Sequence, residues 1–225
     1  MSIAGDVNAA QFAYQAIKER ILDLSYGAGE RLSETRIAAE LGLGRSPVRT
    51  ALARLKSEGW IAVTPQSGTY VLSPSEKDIE EVAELRVLLE MHVSRLAALK
   101  IPDSELARLR RAFNKLRRDE EYLEEFLAFD AMVHAAIYRA ADNGLIESIL
   151  TNLKDKVQWI RRTNAVTGSR LKLSYDEMQA VLEALEARDP ELVAARMATH
   201  IRNAADFRKS EERDALARDR RKQAS

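Results

Sequence analysis

Apolar residues recur at helical spacing over most of the chain and at strand spacing in one short segment. From about Asn8 to Leu24 the pattern predicts a helix, followed by a turn containing Gly27 and Gly29. In "RLSETRIAAELG", Ser33 is placed to cap a short helix, Leu32 and Ile37 occupy the two positions of a hydrophobic staple, and Gly42 supplies a left-handed stop. A second short helix begins near Gly44 to Ser46, with Pro47 in its first turn, where a missing N–H does no harm. Ile37, Ala38 and Leu41 are then spaced to pack on Val48, Leu52 and Leu55 across a turn of about three residues, which is a helix-turn-helix pattern. "WIAVT" and "TYVL" around "PQSG" alternate and predict a two-stranded hairpin.

The segment "VLSPSEKDIEEV" ends this pattern and starts an acidic helical one at about Glu76. It predicts a winged helix-turn-helix unit over residues 1–72, a linker at 73–75 and an all-helical unit over 76–208. Breaks near "KIPDS", "ADNG", "TGS" and "RDP" separate about six helices there. Residues 209–225 form a polar tail, either a solvated helix end or disordered. The expected fold class is mainly α: a winged head with a short β-hairpin, then a helical bundle. Composition agrees, since 31% charged and only 6% aromatic residues, nine glycines and five prolines favour helices.

Charge changes the picture locally. The chain has 35 basic and 35 acidic residues, yet "LGLGRSPVRTALARLKSEGW" carries Arg45, Arg49, Arg54 and Lys56 before its first acid, Glu58. Arg45, Ser46 and Arg49 lie at the leading end of the second helix, where a recognition helix presents side chains to base edges. Arg54 and Lys56 suit phosphates or solvent. Arg36 and Thr50 complete the DNA-facing set, and Gly68 would let a wing tip approach the DNA backbone closely. Amphipathic helix pairs with a basic outer face are common and most bind nothing; the adjoining hairpin is what favours DNA.

The residues "LSETRIAAELGLGRSPVRTALARLKSEGWIAVTPQSGTYV" resemble the winged-helix head of GntR-type bacterial transcription regulators. The usual pattern there contains Gly-Val-Ser-Arg-Thr-Pro-Val-Arg-Glu-Ala-Leu, which falls on Gly42 through Leu52. Gly44 stands in place of a hydroxyl residue and Thr50 in place of a glutamate. "AELRVLLEMHVSRLAA", "FLAFDAMVHAAIYRAADN" and "VLEALEARDPELVAARMATHI" are similar, in that order, to the helical effector domain of the FCD group. The resemblance implies a ligand-responsive regulator, a repressor released by a small organic acid. It also implies a homodimer that sets two recognition helices about one DNA turn apart on a palindromic double-stranded operator.

Asp130 and His134 are one helical turn apart and share a face with Phe126 and Ile137. A carboxylate and an imidazole so placed either bind a divalent metal or form a buried hydrogen bond. The resemblance makes this pair part of an Asp-His-His-His metal site whose last histidine matches His200, while the remaining position falls on Met178. A thioether is a poor ligand for zinc, nickel or manganese-like ions, so Met178 weakens or abolishes the site. Asp130, His134 and His200 can still hold zinc, with water or an effector carboxylate completing the shell. Without metal, His134 and His200 bind the effector directly and cationic side chains replace the metal's charge. Arg86, an arginine on the apolar stripe of Val82, Leu89 and Val93, is one candidate; its alternative is an ion pair with Glu90. The expected effector set is thus Arg86, Asp130, His134, Met178 and His200.

The competing function is a metal-dependent hydrolase or isomerase on the same three ligands, for which no well-placed base or nucleophile is evident. The chain has no cysteine, which excludes disulfides and thiolate sites. No apolar run reaches the length of a membrane span, and "MSIAGDVNAA" lacks the pattern of a secretory signal, so a cytoplasmic location is expected.

Overall fold

The computed structural model describes residues 3–117, 122–163 and 168–223. The contacts divide the chain into two compact units, residues 1–74 and 75–225.

In the first unit, α1 (Ile3–Leu22) begins earlier than the apolar pattern requires, and Leu24, at φ +66°, lies beyond its end. α2 (Glu34–Leu41) starts where Ser33 Oγ accepts the Arg36 amide at 3.4 Å and stops at Gly42, whose φ of +66° is left-handed. α3 (Arg45–Ser57) follows directly. Its N-cap is Gly44, at an ordinary φ of −72°, so no side chain caps it. Ile37, Ala38, Val48, Leu52 and Leu55 are buried between these helices, with Leu41 half-buried at the edge.

The expected two-stranded hairpin is part of a three-stranded antiparallel sheet. β2 (Ile61–Thr64) pairs with β3 (Gly68–Val71), and β1 (Arg31–Leu32) adds to the other side of β3. β1 has only two residues, too few to show an alternating pattern. Leu32 therefore serves the sheet and is buried there, just ahead of the Ser33 cap.

The second unit has six helices among the described residues. α4 (Glu76–Lys100) opens with a reciprocal Ser75/Asp78 capping box. α5 (Asp103–Phe113), α6 (Leu123–Ala141), α7 (Gly144–Thr163), α8 (Gly168–Glu186) and α9 (Pro190–Gln223) follow. Expected breaks fall at Pro102, at Asp142 and at Arg188, the last two in left-handed backbone. Of "TGS", Thr167 lies outside the described residues. A further break follows Phe113, in a charged stretch that no Gly or Pro marks. The predicted tail from residue 209 continues α9 as helix to Gln223. α4 packs along α9, where Ala97, Ala98, Ala194 and Ala198 are buried. Phe126, Phe129, Val133, Ile137, Tyr175, Met178, Leu182 and Ile201 fill the core among α4, α6, α8 and α9. This core fixes the faces of α4, α6, α8 and α9 that carry the polar residues described next.

Candidate functional site

On the head, the first turns of α3 hold Arg45, Ser46, Arg49 and Thr50 exposed. They differ in what restrains them. Arg45 pairs with no acid among the described residues. Arg49 reaches Glu34 of α2 at 3.2 Å while its side chain stays 70% exposed, and Thr50 donates to the Ser46 carbonyl at 3.2 Å. Arg36 is held by Glu30 at 2.8 Å and Glu40 at 3.4 Å.

Two residues of the head make contacts that spacing alone did not show. Arg54 lies on the Tyr14 ring, 3.8 Å from its centroid, and bonds Glu58 at 2.9 Å and Gln11 at 2.8 Å. It ties α3 to α1 while its side chain stays 50% exposed. Gly68 is not at the wing tip, where Gln66 takes φ +63°. It starts β3 at φ +132°, and a Cβ there would stand 2.7 Å from Arg31 Nε. That glycine makes room for an arginine side chain.

In the bundle, Asp130 and His134 of α6 meet His200 of α9, all three buried, with one ligand atom from each within 4.8 Å of the others. His200 Nε2 stands 2.9 Å and His134 Nε2 3.7 Å from Asp130 Oδ1. Each imidazole is oriented from behind by a carboxylate. His134 Nδ1–H donates to Glu90 of α4 at 2.5 Å, and His200 Nδ1–H donates to Glu177 of α8 at 3.0 Å. A carboxylate only accepts, so both rings present Nε2 inward.

The arginines are paired with these acids. Arg86 Nε bonds Glu90 at 2.6 Å, the pairing that its i+4 spacing offered, and its Nη2 lies 3.4 Å from His134 Nε2. Arg161 bonds Asp130 Oδ2 at 2.5 Å, and Arg170 bonds Glu177 at 2.8 Å. Burial pushes the Glu90 carboxyl up, but Arg86 and then His134 outweigh this and hold it at about 2. Burial likewise raises Asp130, and Arg161 with His134 brings it well below the usual carboxylate range. For His134, burial lowers the pKa, and Glu90 and Asp130 reverse this to a net rise.

Met178 is fully buried in the apolar core with Tyr175 and Leu182, and it does not line the pockets at this centre. Glu177 beside it supplies the polar contact from α8. Helical periodicity turns neighbouring residues by about 100°, so the Tyr175, Met178, Leu182 stripe gives no sign of Glu177. Arg208 is also not legible in the sequence, because its partners on α7 are distant along the chain, whereas Arg170 pairs with Glu177 two turns on along α8.

The donor set fits a divalent ion. Asp130 Oδ1 is buried, and two imidazoles backed by carboxylates turn their Nε2 atoms toward it, at 2.9 Å for His200 and 3.7 Å for His134. Asp130, His134 and His200 would hold such an ion, which would supply a positive charge and open positions for an oxygen ligand.

Residues 81–203 match the FCD domain family, and residues 9–71 match "Bacterial regulatory proteins, gntR family". This chain belongs to the GntR family of transcription regulators and carries an FCD domain. The regulator is 34% identical over 175 residues to the gluconate operon transcriptional repressor of Bacillus subtilis, covering 76% of this chain and 70% of that one. Its fold resembles that of Escherichia coli McbR/YncC, with a TM-score of 0.65, 21% identity, and coverage of 91% and 98% of the two chains. It also resembles the Zn2+-bound FCD domain of the regulator TM0439, with a TM-score of 0.54, 23% identity, and coverage of 60% and 94%. FCD domains thus include one that binds zinc, and this regulator has an Asp/His/His cluster. The hydrolase or isomerase reading finds no support in these matches. Among the described residues, no helix is long and apolar enough to cross a membrane.

Proposed function

We propose that this GntR regulator is a homodimeric repressor that leaves its operator when a small organic acid enters the FCD domain. The observation that carries the reading is the convergence of Asp130, His134 and His200, two of them backed by carboxylates, in a bundle attached to a winged head. Residues 1–72 bind DNA. Arg45, Ser46, Arg49 and Thr50 face the major groove from α3, Arg36 meets phosphate, and the β2–β3 wing, whose second strand starts at Gly68, lies along the backbone.

Residues 76–208 sense the effector and dimerise. Asp130, His134 and His200 hold a divalent ion of the zinc, nickel or manganese type, and Arg86 lies beside them as a cationic partner for the effector. Met178 acts in packing. Homodimerisation draws support from α4, whose face exposes Leu85, Leu88 and Leu99 at helical spacing. The repressor sense draws support from the gluconate operon repressor, whose match covers 70% of its own length.

The test is selection of bound sequences from random duplex DNA with the full-length protein, repeated with a metabolite pool. A palindromic site with half-sites about 10 base pairs apart, released by a fraction of the pool, is expected. Elemental analysis should find near one ion per chain, lost in His134→Ala. Absence of any selected sequence would overturn the DNA reading; background metal would overturn the ion and leave the arginines as the charge of the pocket.

A further inference from the structure

The buried charges of the bundle leave one arginine over. Arg86, Arg161 and Arg170 each have a carboxylate, in Glu90, Asp130 and Glu177. Arg208 of α9 is only 7% exposed and has none among the described residues. Its hydrogen bonds both use Nη1, to the carbonyl oxygens of Ile160 at 2.9 Å and Arg161 at 3.0 Å. Carbonyls orient a guanidinium without neutralising it, and Nε and Nη2 have no partner among the described residues. Burial lowers its pKa to about 9, and the nearby Arg161 and Arg170 add to the fall. A buried, uncompensated charge is costly unless something supplies the opposite sign.

Arg208 borders two narrow pockets. The first is lined by Asp130, Arg161, Arg170, Ser174, His200 and Arg208 together with apolar side chains. Arg161 and Arg208 also line the adjoining pocket that contains Arg86. The first pocket therefore holds Arg208 together with the Asp130/His200 edge of the cluster.

We propose that Arg208 with Arg161 is the oxyanion-binding end of the effector pocket, and that the effector is a small organic acid with two acidic groups. One group, a carboxylate or phosphate, takes the free edge of the Arg208 fork. The second lies toward Asp130, His134 and His200. Two cationic points favour two groups: the three pairs cancel, Arg208 leaves one positive charge, and an ion at the cluster would be the second point. A singly charged acid satisfies only one end. This deepens the effector reading above and rests on it.

The experiment measures melting temperature, calorimetric binding and operator release for the full-length protein with succinate, citrate, inorganic phosphate and acetate. Arg208→Gln and Arg208→Lys are compared with the parent. Succinate or citrate is expected to bind the parent more tightly than acetate does, and about tenfold or more tightly than it binds Arg208→Gln. Phosphate bound in preference to the dicarboxylates, and lost in the same variant, would keep Arg208 as an oxyanion site and overturn the effector with two acidic groups. Arg208→Lys should retain part of the response. Without ligand, Arg208→Gln should melt at or above the parent, because an uncompensated buried charge is removed; a purely structural arginine would give a lower melting temperature.

Equal anion affinity in the parent and Arg208→Gln overturns the proposal and leaves the effector reading standing. If neither these anions nor a metabolite pool changes melting or operator binding of the parent, the effector reading falls and the proposal with it.

Discussion

Glu90 of α4 stands 2.5 Å from Nδ1 of His134 on α6 and accepts its hydrogen bond, while the other oxygen of the same carboxylate holds Arg86 at 2.6 Å. One fully buried acid thus orients the imidazole and balances an arginine. Replacing it with glutamine keeps the shape and removes the charge. Glu90→Gln should destabilise the protein by about 3–5 kcal/mol, as expected when one partner of a buried ion pair is removed, measured by urea unfolding. It should also weaken zinc binding by about 10- to 100-fold in a competition assay with a chelating dye. Unchanged stability and zinc affinity would remove Glu90 from the orienting role.

Arg45 and Arg49 lie on the same exposed turn and differ in restraint, since only Arg49 is held by an acid, Glu34. Arg45→Ala is expected to weaken binding to the selected operator by about 1–3 kcal/mol, with relaxed preference at one base pair. Arg49→Ala should cost less, because wild-type Arg49 must first leave Glu34. Fluorescence anisotropy across a salt series separates the two effects. Parent-like affinity in both variants would mean that α3 does not read the operator.

Glu58 accepts hydrogen bonds from Tyr14 at 2.7 Å, Arg54 at 2.9 Å and Trp60 at 3.0 Å. Burial pushes its carboxyl up, but these three donors outweigh burial and hold it below the ordinary value. A depressed folded pKa gives stability that is fully present above the unfolded carboxylate value of about 4.3 and is lost as pH falls through the folded value. At pH 7 Glu58→Gln should melt below the parent, and the gap should narrow as pH drops under about 4. A gap that does not change across the acid range would show that the charge of Glu58 contributes nothing.

Leu88 of α4 is 71% exposed between Leu85 and Leu99 on the same helix. If this face is the seam between two copies, Leu88→Asp should convert a dimer into a monomer on light-scattering chromatography. Operator affinity should drop with it, since two half-sites are no longer bound together. A dimer of unchanged stability would move the seam elsewhere.

Much of the head is legible in the order of its residues. Ser33, Gly42 and Pro47 mark helix ends by local backbone chemistry, and the apolar spacing of α2 and α3 places their shared core. β1 is not legible, because two residues have no period and its pairing depends on β3, far along the chain. At the centre, Asp130 and His134 share one turn of one helix, so spacing alone joins them. His200 enters only through a family resemblance.

Caps, turns and hydrophobic period act over a few residues, and the GntR and FCD motifs are linear, so the elements and the family follow from the chain alone. The charge pairing does not; it belongs to the folded molecule. Glu177 with His200, Arg161 with Asp130, and Arg208 with no acid among the described residues are relations between side chains on different helices. Which acid neutralises which cation depends on distance and burial in three dimensions, and neither is written in the order of residues.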